Sequence, residues 1–330
     1  MEIDLRRPEV QFAIDTVQFG SELARRVRAE SSVKTIIKQD DSPVTLADMG
    51  IQAVAGALLE HYFPKSIMVA EESSTYLRSR KGEEDLDKIA SYVHAFFPRA
   101  NPSRVCEWID RGQGPAGDSF WTLDPIDGTK GFLRGGQYAI ALALIRDGKV
   151  ELAALACPEL ETPKTLGGTT GLMVLAARGQ GCWGASIDDE RRWVPVRVSG
   201  CEDIARARIL DSFELRHQNI EKSRKLREAL GIVPEPVPLD SQAKHVVLAS
   251  GGAEIFFRTL PQRNPEFREK IWDVAPGAFA IEEAGGRVTD LLGDPIDYGA
   301  GKILTRSPGF LATNGRFHDV VLGVLQKRVS

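Results

Sequence analysis

The sequence is poor in cysteine, with only four in 330 residues, and those four are scattered along the chain. None belongs to a Cys-x-x-Cys pair, so nothing in the sequence favours a zinc site or a disulfide framework. Dispersed cysteines of this kind are typical of proteins that work in a reducing compartment. We therefore expect free thiols at Cys106, Cys157, Cys182 and Cys201.

The sequence also lacks a marked excess of one charge and any long apolar run. Its formal net charge is −4, which gives no electrostatic reason to bind a nucleic-acid polymer. No apolar run has the length of a membrane span, and the first residues have no apolar signal core. We expect a cytoplasmic protein without a membrane or nucleic-acid partner. A small phosphorylated molecule needs only a local cationic pocket, so it stays open as a partner.

The stretch Asp-Pro-Ile-Asp-Gly-Thr at 124–129 is the most informative feature that is present. The apolar run at 120–123 predicts a buried strand, so Asp124 and Asp127 are expected where that strand ends and the chain turns. Such a turn can aim both carboxylates, and the carbonyl between them, at one point. Crowded hard oxygen ligands suit Mg²⁺. The alternative is an ordinary Asp-Gly turn.

Three further acidic sites have similar contexts. Glu71 and Glu72 follow a strand-like run at 67–70, whereas Asp48 and Asp273 lie where helices are expected to begin. Taken singly, the two aspartates are more simply explained as helix caps, and the glutamates as surface charge. Only the combination with the 124–129 stretch predicts a metal site.

The pattern along the chain predicts a mixed α and β protein. Helices are expected at 8–28 and 45–62, and Asp147-Gly148 between two apolar runs predicts a hairpin. Residues 179–184 are predicted to form a turn. From about residue 206, strands and helices alternate, which indicates an α/β layer. The charged segment 78–118 is predicted to be a surface insertion with one short helical piece, and an active-site lid is the alternative.

The four acidic blocks, in this order and spacing, resemble the signature of the inositol monophosphatase superfamily of metal-dependent, lithium-sensitive phosphomonoesterases. The resemblance extends from about residue 8 to about residue 325. It implies a layered αβαβα sandwich of the sugar-phosphatase type. We expect an N-terminal lobe over 1–165 with most metal ligands, and a C-terminal lobe over 166–330 with the nucleotide-binding residues and the last metal ligand.

Within the superfamily, the chain is most similar to the 3′(2′),5′-bisphosphate nucleotidases. Three stretches resemble that branch, and they begin at Trp121, at Asp240 (Asp-Ser-Gln-Ala-Lys) and at Glu269 (Glu-Lys-Ile-Trp-Asp). The simple inositol monophosphatases lack the Asp-Ser-Gln-Ala-Lys block and the Lys-Gly-Phe-Leu-Arg-Gly continuation after the 124–129 stretch.

The resemblance assigns roles residue by residue. It implies two or three Mg²⁺ ions, with Asp124 as the ligand that bridges two of them. Glu71 and the Ile126 carbonyl would complete one metal site, and Asp127 and Asp273 the other. Thr129 would accept a proton from the attacking water and pass its own to Asp48.

The implied substrate pocket uses backbone N–H groups at Gly128 and Thr129, together with the 240–244 block. Within that block Asp240 belongs to the nucleotide-gripping motif, Ser241 would donate to phosphate, and Lys244 would neutralise the phosphate that is not cleaved. Arg258 and His217 occupy plausible family positions, although the glycines usual around His217 are missing here. A solvated surface position is the alternative for Lys244 and for His217.

These roles predict an enzyme that removes the 3′ (or 2′) phosphate of adenosine 3′,5′-bisphosphate, and also acts on the sulfated analogue 3′-phosphoadenylyl sulfate. Such an enzyme would clear a by-product of sulfate activation. One alternative is the same chemistry on an inositol phosphate or another sugar phosphate. An alternative of another class is a non-catalytic sensor of phosphorylated nucleotides. The sequence leaves monomer and homodimer open.

Overall fold

The computed structural model describes residues 3–30, 34–37, 43–213, 219–260 and 266–328. Two long helices open the chain and flank a small antiparallel sheet. The elements up to the middle of the chain are α1 (Pro8–Arg28), β1 (Thr35–Ile37), β2 (Pro43–Thr45), α2 (Leu46–Tyr62), β3 (Met68–Ala70), α3 (Glu83–His94), α4 (Pro102–Asp110), β4 (Ser119–Asp127) and α5 (Thr129–Leu133). The predicted helices at 8–28 and 45–62 are confirmed as α1 and α2.

A seven-stranded sheet forms the first β layer, with strand order β3-β4-β5-β6-β7-β8-β9. Strands β3 and β4 are parallel, and the remaining neighbours are antiparallel. Its further strands are β5 (Ala139–Arg146), β6 (Lys149–Glu161), β7 (Thr170–Ala177), β8 (Gly181–Ser186) and β9 (Asp189–Val196). The predicted hairpin at Asp147-Gly148 joins β5 to β6, and both residues have the positive φ that such a two-residue turn requires.

A five-stranded sheet of order β11-β10-β12-β14-β13 forms the second β layer. The alternation predicted from about residue 206 is confirmed here. The elements of this part are β10 (Ile209–Asp211), α6 (Asn219–Leu230), β11 (Val237–Pro238), α7 (Ala243–Ala249), β12 (Ile255–Thr259), α8 (Ile271–Glu283), β13 (Arg287–Asp290), β14 (Gly309–Thr313) and α9 (His318–Arg328).

Alternating side chains along the strands divide the core into layers, because successive residues of a strand face opposite sides of the sheet. In β5, Ile140 and Leu142 face the core beneath α1 and α2, whereas Ala141 and Ala143 face the core beneath α8. In β12, Phe256 faces the α8 side, and Phe257 faces α6 and α9. The order of layers is therefore helix, sheet, helix pair α7–α8, sheet, helix, which confirms the αβαβα sandwich.

The segment 78–118 packs as part of the core. Its apolar side chains, among them Ile89, Val105 and Trp108, are buried in the same cluster as α2. Helix α4 approaches α2 so closely that a Cβ at Gly56 would lie 2.1 Å from the Trp108 carbonyl oxygen. The single helical piece predicted near 85–96 is α3, and α4 was missed. The segment therefore buttresses α2, and its origin as an insertion stays a prediction.

Two sequence-based expectations differ from the structure in detail. Residues 181–186 form strand β8 and are not a turn, because each of them pairs with β7, and only 178–180 turn the chain. The seven-stranded sheet also continues past residue 165 to Val196. The division of the chain into two lobes stays a prediction.

Other expectations concern the cysteines and the membrane. All four cysteines are free thiols, as predicted, with Cys106, Cys157 and Cys182 buried and Cys201 half-buried. Among the helices that the structure describes, none combines the length and apolar character needed to cross a bilayer.

Candidate active site

A bulge at the end of β4 aims the acidic side chains of the 124–129 stretch. Asp124 lies opposite Ala141 and Asp127 opposite Ala139, so β4 has one residue more than β5 between these pairs. Such bulges redirect side chains at sheet ends. The strand continues through Asp127, whereas the sequence predicted its end at residue 123, and the turn comes only at Gly128. Gly128 has φ +85°, and a Cβ there would lie 2.8 Å from Ser241 Cβ.

Three aspartates meet at this point. Asp124, Asp127 and Asp273 each offer a carboxylate oxygen, and these oxygens lie within 4.8 Å of one another. Asp273 comes from the first turn of α8. Asp124 is 2% exposed, and its Oδ1 atom is buried without a hydrogen-bond partner. A buried carboxylate oxygen without a partner is costly unless a cation or donor occupies the space beside it.

Further acids add to the negative charge around Asp124. Burial raises the pKa of Asp124 well above its ordinary value, and the charges of four neighbours raise it further, namely Glu71, Asp127, Asp273 and Asp48. The pKa of Asp273 is also well above its ordinary value, through burial and then the charge of Glu269. Carboxylates crowded in this way suit a hard divalent cation with oxygen ligands, so the residues present fit magnesium.

A glutamine on α2 holds the turn that carries Glu71. Gln52 Nε2 donates to the backbone carbonyls of Glu72 and Ile109, the latter at 2.8 Å, and the Glu72 N–H donates to Gln52 Oε1 at 2.8 Å. Gln52 is fully buried. The sequence analysis missed it, although Gln52 is the only polar side chain between Asp48 and Glu60 and was therefore a usable signal.

Asp48 is fixed by a capping box at the start of α2. The backbone N–H and hydroxyl of Thr45 donate to Asp48 Oδ2 at 2.8 and 2.6 Å. Thr45 was also missed, although the Thr-x-x-Asp spacing is a known sequence signature of such a box. Thr129 Oγ1 donates to the Ile126 carbonyl at 3.2 Å. The Thr129–Asp48 pair stays a prediction.

Two cationic side chains face the acids across the pocket. Lys244 is buried, and its Nζ donates to the Leu239 carbonyl at 2.9 Å. Burial is the main cause that lowers the pKa of Lys244 to about 8. Arg258 is contributed by β12, and its Nε lies 3.1 Å from Glu269 Oε1. Lys244 is therefore an interior cation, and the surface alternative for it is wrong.

The 240–244 block connects the two sides. Ser241 has φ +64°, an uncommon conformation for a residue with a side chain, and its hydroxyl accepts from the Ala243 N–H at 3.1 Å. The Gln242 N–H donates to Asp127 Oδ2, and the Gln242 amide bonds to the backbone of α8 at 3.0 and 3.1 Å. Asp240 pairs with Arg134 at 2.6 Å. Gln242 is a second supporting residue that the sequence analysis missed.

One pocket collects most of the predicted site. Its lining includes Glu71, Asp127, Gly128, Thr129, Asp240, Ser241, Lys244, Arg258 and Asp273. Asp124 and Ile126 lie buried behind this lining. His217 lies outside the described residues. His245, which was not predicted, also lines the pocket, and both of its ring nitrogens are buried without a hydrogen-bond partner. The segment 78–118 contributes none of the described lining residues.

The comparisons with known proteins cover almost the whole chain. A model of the inositol monophosphatase family matches residues 7–329. Similar curated proteins are named 3′(2′),5′-bisphosphate nucleotidase. One from Schizosaccharomyces pombe is 35% identical over 336 residues, which are 95% of this chain and 94% of that protein. Another, from Oryza sativa, is 38% identical over 311 residues, which are 88% of this chain and 86% of that protein.

Solved structures have the same fold. The IMPase of Thermotoga maritima superposes with a TM-score of 0.66 at 20% identity, over 97% of this chain and 98% of that chain. CysQ from Bacteroides thetaiotaomicron, described as a bacterial member of the inositol monophosphatase family, gives 0.61 at 17% identity, over 95% and 100%. Together with the four acidic blocks and the layered architecture, these matches show that the chain belongs to the inositol monophosphatase family.

Proposed function

We propose that this protein is a Mg²⁺-dependent phosphatase that removes the 3′ (or 2′) phosphate of adenosine 3′,5′-bisphosphate and releases AMP. The main support is that one pocket joins a carboxylate cluster to two cations, the buried Lys244 and the half-buried Arg258. A substrate with two phosphates fits this arrangement. One phosphate can bind the metal that the acids hold, and the other can pair with the two cations. The curated relatives are named for the same substrate.

The carboxylates would hold two or three Mg²⁺ ions. Asp124 is the proposed bridging ligand, because its Oδ1 has no hydrogen-bond partner and it offers an oxygen within 4.8 Å of those of Asp127 and Asp273. Glu71 and the Ile126 carbonyl would complete one site, and Asp127 and Asp273 the other. Bound Mg²⁺ supplies neutralisation of the phosphoryl oxygens and a more acidic water. Lithium inhibition at one of these sites is part of the proposal.

The attacking water needs a group that accepts its proton. We assign this role to the Thr129 hydroxyl, which lines the pocket beside the Ile126 carbonyl. In the reaction, Thr129 turns to Asp48 and passes its own proton to that carboxylate. The two hydrogen bonds from Thr45 fix the orientation of Asp48. Backbone N–H groups at Gly128 and Thr129 would donate to the phosphate that is cleaved.

The phosphate that is kept would lie against Lys244 and Arg258. Contacts within the protein fix both side chains. Lys244 donates a hydrogen bond to the Leu239 carbonyl, and Arg258 forms an ion pair with Glu269. Ser241 lines the same pocket beside Gly128 and would add a hydroxyl donor. A cytoplasmic location also belongs to the proposal and rests on the dispersed free thiols.

The test is phosphate release from adenosine 3′,5′-bisphosphate with Mg²⁺, repeated with EDTA, with Li⁺, and on inositol 1-phosphate and 3′-phosphoadenylyl sulfate. We expect fast release from the adenosine compounds, loss of release with EDTA, and inhibition by Li⁺. Faster release from the inositol ester would overturn the substrate assignment and leave the metal site standing. Tight nucleotide binding without release would instead establish a sensor.

A further inference from the structure

A carboxylate outside the metal cluster pairs with the cation nearest to it. Glu269 is 4% exposed, and its Oε1 lies 3.1 Å from Arg258 Nε. Its other oxygen, Oε2, is buried and has no hydrogen-bond partner. Arg258 lines the pocket together with Asp127 and Asp273. Glu269 therefore holds Arg258 from the side away from the substrate.

The backbone around Glu269 is fixed, so its side chain projects from a rigid base. The Leu304 N–H donates to the Glu269 carbonyl at 3.0 Å, and the Ile271 N–H donates to the Lys302 carbonyl at 3.0 Å. Lys270 also forms a single antiparallel bridge with Ile303. These contacts anchor the chain just before α8, which carries Asp273.

Arg258 lines the same pocket as two predicted metal ligands, Asp127 and Asp273. A guanidinium group forms strong, often bidentate, pairs with a carboxylate. An Arg258 that was not held elsewhere would therefore pair with Asp127 or Asp273 and compete with the metal for their oxygens.

We propose that Glu269 is a positioning residue that holds the Arg258 guanidinium on the substrate side of the pocket and so keeps Asp127 and Asp273 available to metal. This inference rests on the proposed metal site. It gives a defined task to a buried carboxylate that belongs to neither the aspartate cluster nor the described pocket lining. That task is to separate the cationic side from the acidic side.

The test is a double-mutant cycle read out by metal binding alone. Four proteins are titrated with Mn²⁺, and free Mn²⁺ is followed by its electron paramagnetic resonance signal: the wild type, Glu269→Gln, Arg258→Met and the double variant. We expect Glu269→Gln to weaken binding about 10- to 100-fold, as changes behind metal ligands commonly do. Arg258→Met alone should change binding little, and in the double variant it should restore most of the lost affinity.

A simple charge effect predicts a different result. If Glu269 acted only through its negative charge, the two substitutions would have independent effects, and their free energies would add in the double variant. Additive effects would therefore overturn the inference. Glu269→Asp keeps the charge but shortens the reach, so weaker Mn²⁺ binding in that variant supports positioning, whereas wild-type binding contradicts it. This second variant keeps the test valid if Glu269→Gln folds poorly.

The phosphatase assay separates this inference from the proposed function. In the double variant, metal affinity should recover while the KM for adenosine 3′,5′-bisphosphate stays high, because the cation for the second phosphate is gone. A wild-type protein that binds no Mn²⁺ would overturn the metal site, and this inference with it. A wild-type protein that binds Mn²⁺ but gives an additive cycle would overturn the inference alone.

Discussion

The two sides of the pocket differ in how far the protein itself satisfies their charges. On the acidic side, Asp124 Oδ1 has no partner, and burial with mutual repulsion raises the pKa of Asp124 and Asp273. On the cationic side, Lys244 donates to a backbone carbonyl and Arg258 pairs with Glu269. The acidic side therefore needs a bound cation to neutralise its charge, whereas the charged groups of the cationic side already have partners within the protein. In the proposed function, bound metal would stabilise the first side, and the second would bind phosphate.

Replacing Asp124 should have the largest effect, because it breaks the acidic side at its centre. We expect Asp124→Asn to lower turnover about 10³-fold or more, since the metal contributes several kcal/mol to the transition state. In the absence of metal the same variant should melt at a higher temperature than the wild type, because a buried charge and its repulsion with four neighbours are removed. Phosphate release and thermal melting with EDTA measure the two effects.

The matched control for this prediction is Asp118→Asn. Asp118 is exposed immediately before the same strand and is not among the lining residues of the pocket. The Asp118→Asn variant should have the turnover of the wild type and, without metal, the same melting temperature. A metal-free Asp124→Asn protein that melts below the wild type would show that the acids stabilise the fold without metal, and it would contradict the contrast between the two sides.

Replacing Lys244 tests the cationic side and should have a smaller effect. We expect Lys244→Met to raise the KM for adenosine 3′,5′-bisphosphate about 10- to 100-fold, because a charge-assisted hydrogen bond contributes about 1.5–3 kcal/mol. The kcat should change much less, since the contact is made to the phosphate that does not react. Steady-state kinetics on this substrate and on adenosine 3′-monophosphate show which phosphate Lys244 contacts, because the monophosphate lacks the second phosphate.

Lys149→Met is the control, since Lys149 is exposed at the β5–β6 hairpin, far from the block at 240–244 in the chain and absent from the pocket lining. An equal rise in KM for both substrates of the Lys244 variant would mean that Lys244 contacts the cleaved phosphate or supports the metal turn. The division of the pocket into two sides would then need revision.

The sequence predicted the acidic side better than the groups that support it. Asp124 and Asp127 were predicted as metal ligands from residue type and local context, because Mg²⁺ prefers hard oxygen donors, whereas Asp273 was predicted only through the family resemblance. Gln242 could not be assigned in this way. Its role depends on Asp127, which lies 115 residues away, and on the backbone of α8. Such partners become neighbours only through the packing of layers.

The same distinction holds for the fold. Helices α1 and α2 were predicted because their apolar periodicity is local, and the Asp147-Gly148 hairpin because its turn has a local signal. Strand β8 was taken for a turn because its glycines are typical of turns. In the sheet, Gly184 instead allows close packing, since a Cβ there would lie 3.0 Å from Val196 Cγ2. That reason is visible only once β7, β8 and β9 are paired.

The smallest predicted effect concerns the pH dependence of the cationic side. The pKa of Lys244 is about 8, mainly through burial, so its positive charge is lost as the pH rises through that value. Phosphate monoesters keep their charge over this range, because their second pKa is near 6. The KM of the wild type for adenosine 3′,5′-bisphosphate should therefore rise about tenfold between pH 7 and pH 9. In Lys244→Arg the rise should be absent, because a guanidinium group stays charged throughout. A rise of equal size in both proteins would assign the pH dependence to another group and would show that the charge of Lys244 does not attract the second phosphate.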